Sequence, residues 1–291
     1  MNPALAKPLL ARVEKFPTLP DVVLRVSRAL LDPEADLHAV AQMIELDPTL
    51  SAHLIRAANS PLFGTLSVDS VGRALGRLGT EQTRSAVITV ALLKTVPKLP
   101  SPYSIRSFWV LGLASGVVAR RIARDLAFPD PEQAYLAALV HCLGEAYLAI
   151  EYTDRVRGAM QNWRELGGEF EDYLSKEFGC ELPEVTAGLL ASWNFPPAIV
   201  EAVRWHWYPD CAPADQSMLA SIVLAADRLC RDLGLGVADP GPEEKAWIED
   251  VPEEFEQRLA QRGYPDLTFY LLDLHDDLRE VERFANSVFS S

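Results

Sequence analysis

The sequence predicts an all-α protein, arranged as two packed helical lobes of short helices. Apolar residues recur at helical spacing from end to end, as in Val22, Val23, Val26 and Leu30, and no convincing alternating strand interrupts them. The 21 prolines and 16 glycines fall mostly between the periodic stretches. Asp or Thr stands just ahead of several stretches, where a side-chain oxygen accepts the free N–H groups of a first helical turn.

Taken in order, a short amphipathic helix is expected over residues 8–15. Prolines 17 and 20 break it, and a second helix covers 21–31. Asp36 caps 37–46. Asp47, with Pro48 at the first helical position, caps the next helix, which runs to Asn59-Ser60-Pro61. There the proline forbids continuation, and Asn59 suits a left-handed helix end. Gly64 allows a turn. Residues 70–78 form another helix, closed by Gly79, and Thr80 opens one rich in Val87, Ile88, Val90, Leu92 and Leu93.

Residues 97–102 hold three prolines and mark the best internal boundary. Beyond it, helices are expected over 104–127, 132–150, 155–166, 170–178, 183–193, 198–207 and 215–233. This divides residues 8–235 into an N-terminal lobe, 8–98, and a second lobe, 103–235. Residues 236–291 are expected as a C-terminal helical extension packed on the second lobe.

Composition narrows the function. The chain has 291 residues, 49% hydrophobic and 23% charged, which is ordinary for a globular fold. A formal net charge of −14 argues against binding nucleic acid through its phosphates or docking on an anionic membrane. No apolar run approaches the roughly 18–20 residues of a membrane span. The N-terminus lacks the basic and apolar regions of a signal peptide. Cys142, Cys180, Cys211 and Cys230 lie far apart with no C-x-x-C spacing, which suits free thiols in a reducing cytoplasm.

The stretch from Ala137 to Leu148 reads as a buried helix with His141 on an apolar surface. An unpartnered buried polar side chain costs about 1–3 kcal/mol. His141 is therefore a metal ligand, an acid–base group or a core histidine with one hydrogen-bond partner. Three other histidines carry less. His38 and His53 fall on first-lobe helices without clustered ligands. His275, in Leu274-His275-Asp276-Asp277, reads as a solvated acidic helix face.

Several segments together resemble the HDOD domain family, a branch of the HD phosphohydrolase superfamily found mostly in bacterial signalling proteins. They are Leu19-Pro20, Ile44-Glu45-Leu46-Asp47-Pro48-Thr49-Leu50, Leu54 through Asn59-Ser60-Pro61-Leu62-Phe63-Gly64, and Ala74-Leu75-Gly76-Arg77-Leu78-Gly79. Phe108-Trp109, Ala138-Leu139-Val140-His141, Trp193-Asn194-Phe195-Pro196, Ala202 through Trp205-His206, and Ala226-Asp227 extend the likeness to about residue 235. Asp47, Pro48, Asn59, Ser60, Gly64 and Gly79 carry the signature of the first lobe.

The resemblance implies a regulatory role with a degenerate metal site. The positions matching the superfamily's ligands are Leu111, the pair His141-Cys142, Leu182, the pair His206-Trp207, and Asp227. Of the four protein ligands a mononuclear site of that superfamily needs, His141 and Asp227 remain. Catalytic zinc usually keeps three protein ligands and a water. The reading is therefore a non-catalytic module without metal or cofactor, in which Asp227 accepts a hydrogen bond from His141. A mixed zinc site of His141, Cys142, His206 and Asp227 is the sharper variant, with Cys142 as a small core hydrophobe the blander reading. The expected partner is a protein of a signalling pathway carrying a basic patch, met by Trp205, Trp207 and Tyr208 unless those rings fill the seam between lobes. A residual phosphohydrolase acting on a nucleotide, or a nucleotide sensor using the vacated cleft, are the alternatives. Nothing in the sequence fixes the oligomeric state.

Overall fold

Helix follows helix because each ends at residues that cannot continue it. The computed structural model describes residues 8–10, 16–17, 19–30, 32, 35–60, 63, 67–101, 103–236, 253–264 and 267–289, and no β-strand occurs among them. The chain divides into two units, Met1–Phe16 with Lys98–His275, and Pro17–Pro97 with Asp276–Ser291.

The second of these units begins with α1 (Asp21–Ala29), α2 (Leu37–Glu45) and α3 (Pro48–Ala58). Asp36 accepts the His38 N–H, and Asp47 accepts those of Thr49 and Leu50, ahead of Pro48. At the end of α3 the structure departs from expectation. Asn59 is right-handed (φ −88°), not left-handed. Its side-chain amide donates to the Val68 carbonyl (2.8 Å) and accepts the Val68 N–H (2.7 Å), so it clamps the following loop in the manner of a strand neighbour. Ser60 is buried beside it. Gly64 lies outside the described residues. α4 (Val71–Thr95) contains one non-helical residue, Gly79 (φ 68°, ψ −176°), where two helical segments meet at a kink. Val26, Ile44, Leu54, Leu75 and Leu92 form the core here, all fully buried.

The other unit holds the site. α5 (Ile105–Asp125) is capped by Ser104 and α6 (Pro131–Val140) by Asp130. The two helices pack closely because α5 presents glycine at the contact: a Cβ on Gly112 would stand 2.8 Å from the Leu139 carbonyl oxygen. Arg120 and Glu132 form a buried ion pair between them, with Arg120 over the Tyr135 ring. Then come α7 (Leu143–Glu151), α8 (Thr153–Leu166), α9 (Phe170–Phe178), α10 (Leu182–Ser192), α11 (Pro197–Trp205) and α12 (Ser217–Asp232). After residues 237–252, which lie outside the described residues, follow α13 (Glu253–Gln261) and α14 (Leu267–Phe289). Trp109, Tyr135, Tyr147 and Trp163 are among the large buried rings.

Both chain ends group differently from expectation. The N-terminal segment joins Lys98–His275 because Phe16 lies against Tyr147 and Trp193, and the Tyr147 and Tyr152 hydroxyls donate to the Leu9 carbonyl. Residues 11–15 of the expected first helix lie outside the described residues. Within α14 the grouping changes after His275, and Phe284 sits by Val90 and Leu93 of α4.

One stretch, Pro131–Glu151, is long and apolar enough by composition to cross a membrane, contrary to the expectation that none would be. Yet 89% of its most apolar window is buried in the fold. It is also not one helix. The expected helix over 132–150 is interrupted at His141 and Cys142.

Candidate functional site

The interruption between α6 and α7 positions the site. His141 is the C-terminal cap of α6, and its Nδ1 lies 2.5 Å from the Ala138 carbonyl one turn back. The groups freed by the break are taken up by Thr186 of α10. Its hydroxyl accepts the Gly144 N–H (3.1 Å) and contacts the carbonyls of His141 (3.1 Å) and Leu182 (3.0 Å), donating its single proton between them. Residue 144 is glycine because a Cβ would stand 2.5 Å from Thr186 Oγ1. The turn thus aims the His141 ring at α12.

There His141 Nε2 lies 2.9 Å from Asp227 Oδ1. Arg231, one turn further along α12, donates from Nε to both carboxylate oxygens of Asp227 (2.9 and 3.1 Å). Its NH1 group reaches Glu171 Oε1 on α9 at 2.6 Å. Burial by itself would push the Asp227 carboxyl up, but Arg231 and then His141 outweigh it and hold Asp227 well below the usual carboxylate range. Burial likewise opposes the charge on Arg231, and Asp227 and Glu171 more than compensate.

The remaining groups are held neutral. His206 is 2% exposed, its ring 5.6 Å from that of His141 and its Nδ1 2.6 Å from the Val203 carbonyl. Burial, then His141, lower its pKa to about 3. Glu145, 2% exposed and facing Tyr103, is pushed up to about 8 by burial and then by Glu171. Burial also pushes the Cys142 thiol far up. Together with Leu182, Pro183, Thr186 and Trp207, these residues line a cavity with about 20 Å³ of room for water centres. That is space for about one water molecule.

The structure therefore brings His141, Cys142, His206 and Asp227 to one cavity. They do not form a metal nest. Both oxygens of Asp227 are engaged by Arg231, and His141 Nε2 by Asp227. Of the positions expected from the sequence resemblance to match ligands, buried Leu182 and half-buried Trp207 line the cavity, whereas Leu111 is buried apolar core and is not among its lining residues. Among the described residues no group of three or more His, Cys, Asp or Glu side chains is arranged to hold a metal ion.

A wider groove adjoins the cavity. About 210 Å³ in volume, it is lined by Glu169, Glu171, Asp172, Ser175, Glu181, Trp207, Tyr208, Asp227 and Arg228. Of the three expected contact aromatics, Trp207 and Tyr208 line this groove. Tyr208 is exposed and donates to Glu181 (3.0 Å), whereas Trp205 is half-buried with its indole N–H on Glu201.

The HDOD domain family profile matches residues 16–209. The chain belongs to the HDOD family. Its fold matches solved HDOD and HD-like structures. An HDOD domain protein of unknown function from Geobacter sulfurreducens superposes with a TM-score of 0.83 at 24% identity, over 99% of this chain and 98% of that one. A candidate phosphohydrolase from Shewanella amazonensis SB2B gives 0.74 at 22%, over 95% and 97%. A candidate signal transduction protein from Marinobacter aquaeolei VT8 gives 0.69 at 18%, over 98% and 67%. A curated relative, an uncharacterized protein of Treponema pallidum (strain Nichols), is 24% identical over 79% of this chain; the chain spans 45% of that protein's length.

Glu145, Glu171, Thr186 and Arg231 belong to this HDOD site, and sequence reasoning passed over all four. Two had a readable signal: Glu145 follows His141 by four residues, and Arg231 follows Asp227 by four. Glu171 and Thr186 come from helices whose approach no spacing reveals. Of the other histidines, His38 is exposed. His53 is half-buried, and burial, Lys94 and Arg56 lower its pKa. The His275 side chain lies outside the described residues.

Proposed function

We propose that this HDOD protein is a non-catalytic regulatory module that acts in signal transduction by binding another protein. The observation that supports the reading is the small size of the cavity beside His141 and Asp227, which is walled by Leu182 and Trp207 and has room for about one water. Leu182 and Trp207, with Leu111, are the positions that the family resemblance matches to ligands. A drug-sized or nucleotide ligand needs a pocket of roughly 300–1,000 Å³. This weighs against both a nucleotide sensor in the vacated cleft and a phosphohydrolase, and no side chain there is placed to activate a metal-bound water.

The adjoining groove supports the partner class. Glu169, Asp172 and Glu181 supply negative charge beside one cation, Arg228, and Trp207 and Tyr208 supply flat apolar faces. That combination suits a Lys or Arg side chain of a basic protein segment. The net charge of −14 disfavours a nucleic acid or an anionic membrane as the partner.

Two measurements test the reading. Hydrolysis of phosphomonoesters and of cyclic and linear dinucleotides, assayed with Mg²⁺, Mn²⁺ or Fe²⁺, is expected at background. Turnover that disappears in Asp227→Asn sinks the proposal. A photo-crosslinker placed at Tyr208 is expected to trap a protein with a basic surface segment in cells, and Glu169→Lys with Asp172→Lys to abolish that adduct. An adduct indifferent to both charge reversals counts against the groove as the docking site.

A further inference from the structure

The resemblance to HD phosphohydrolases implies a metal ion at His141 and Asp227, and the residues present do not fit one. The reason lies in Arg231, which no ligand pattern includes. We propose that Arg231 is the built-in cation of this site: its guanidinium takes the place of a metal ion in joining the carboxylates of α9 and α12 to His141 at the end of α6.

Geometry supports the substitution. Arg231 reaches Asp227 Oδ1 and Oδ2 at 2.9 and 3.1 Å and Glu171 Oε1 at 2.6 Å. One cationic group thus bonds carboxylates from two helices, as a divalent ion does. Its side chain is 10% exposed, that of Asp227 2% and that of Glu171 13%, so the charges face each other out of bulk water. His141 completes the set, because its two nitrogens face a carbonyl and a carboxylate, both of which only accept. The Arg231 guanidinium thus lies between the two carboxylates, Asp227 and Glu171. Glu145, buried in the same cavity, stays protonated beside them.

Function follows from the chemistry of the group. A guanidinium has five N–H donors, no acceptor and no vacant coordination position. It orients carboxylates as a metal does, and it neither polarises a phosphoryl oxygen nor generates hydroxide. A divalent ion entering the cavity would meet this fixed positive charge and find both Asp227 oxygens already engaged. The site is thereby locked in one arrangement that needs no metal supply. This holds whether or not a protein docks in the neighbouring groove.

Charge compensation tests the assignment. Arg231→Met is expected to lower Tm, and adding Glu171→Gln to it to recover about half of the loss, because the stranded carboxylate is removed. Mn²⁺ at ~1 mM is expected to raise the Tm of Arg231→Met and to leave the wild type within about 1 °C. Three results each overturn the proposal. One is a double variant less stable than Arg231→Met. Another is a folded Arg231→Met indifferent to Mn²⁺. The third is a wild-type Tm that climbs with Mn²⁺ and stops climbing in Asp227→Asn. Should Arg231→Met not fold, Arg231→Lys keeps the charge and is expected to retain most of the stability. A Lys variant as unstable as Met, or the wild-type Mn²⁺ response, then refutes it.

Discussion

Replacing Asp227 with Asn tests the centre of the structure with the least change in shape. Asp227 is 1% exposed and accepts three hydrogen bonds, one from His141 (2.9 Å) and two from Arg231 (2.9 and 3.1 Å). Asn keeps one acceptor oxygen and turns an NH₂ group toward a donor. Breaking a buried pair by neutralising one partner costs about 3–5 kcal/mol. Arg231 keeps Glu171 as a partner, so the lower end, about 3 kcal/mol, is the expectation. At roughly 2–4 °C per kcal/mol for a unit of this size, Tm falls by about 6–12 °C. All six tryptophans lie within Lys98–His275, the unit that holds Asp227, so tryptophan fluorescence during urea or thermal unfolding at pH 7 reports it directly. Because the pair is buried, the loss is expected to be the same at ~0.05 and ~1 M salt. A loss under about 1 kcal/mol, or one that salt erases, refutes the reasoning.

Four further outcomes are expected. Glu145 has its pKa raised by burial and then Glu171 from 4.5 to about 8. The folded chain therefore holds a proton that the unfolded chain releases. The associated stability is complete below about pH 4.5 and lost as pH rises through about 8, by up to about 5 kcal/mol at ~1.4 kcal/mol per pH unit. Glu145→Gln should flatten that slope in urea titrations at pH 5.5 and 8.5, and an unchanged profile would count against it. Gly144→Ala puts a Cβ 2.5 Å from Thr186 Oγ1 and should cost about 1–3 kcal/mol, measured by the same unfolding assay. Leu111→Ala empties a fully buried position and should cost about 2–5 kcal/mol; near-neutrality would mean this site is not packed core. Asn59→Ala removes both hydrogen bonds to Val68 and should cost about 1–2 kcal/mol, and Asn59→Gly should not restore it, since φ there is negative.

The fold was legible because its signals are local. Asp36 and Asp47 cap helices where an acceptor side chain precedes an apolar stretch, and Gly79 breaks a helix where the φ of +68° favours a residue without a Cβ. Asn59 shows the limit of such reading. Its type marks a helix end, but its work is done on Val68, nine residues away. The single helix expected over 132–150 failed for a similar reason. Nothing in that apolar run announces a break, and the hydroxyl that makes the break tolerable belongs to Thr186, 45 residues downstream of His141.

The sequence by itself determined an all-helical HDOD protein, and its resemblance to the HD superfamily is what matched His141, Asp227, Leu111, Cys142, Leu182 and Trp207 to metal-ligand positions. Those are questions of residue type, spacing and resemblance, and they need no coordinates. Only the tertiary structure decided what stands in the metal's place. Arg231 reads as an ordinary last-turn cation on its own helix, and Glu171 as an ordinary first-turn acid on another. They become one ion network with Asp227 and His141 only where packing brings α9 and α12 to the end of α6. The charge of a buried group is set by its neighbours in space, and those neighbours lie up to 86 residues apart in the chain, as His141 and Asp227 do.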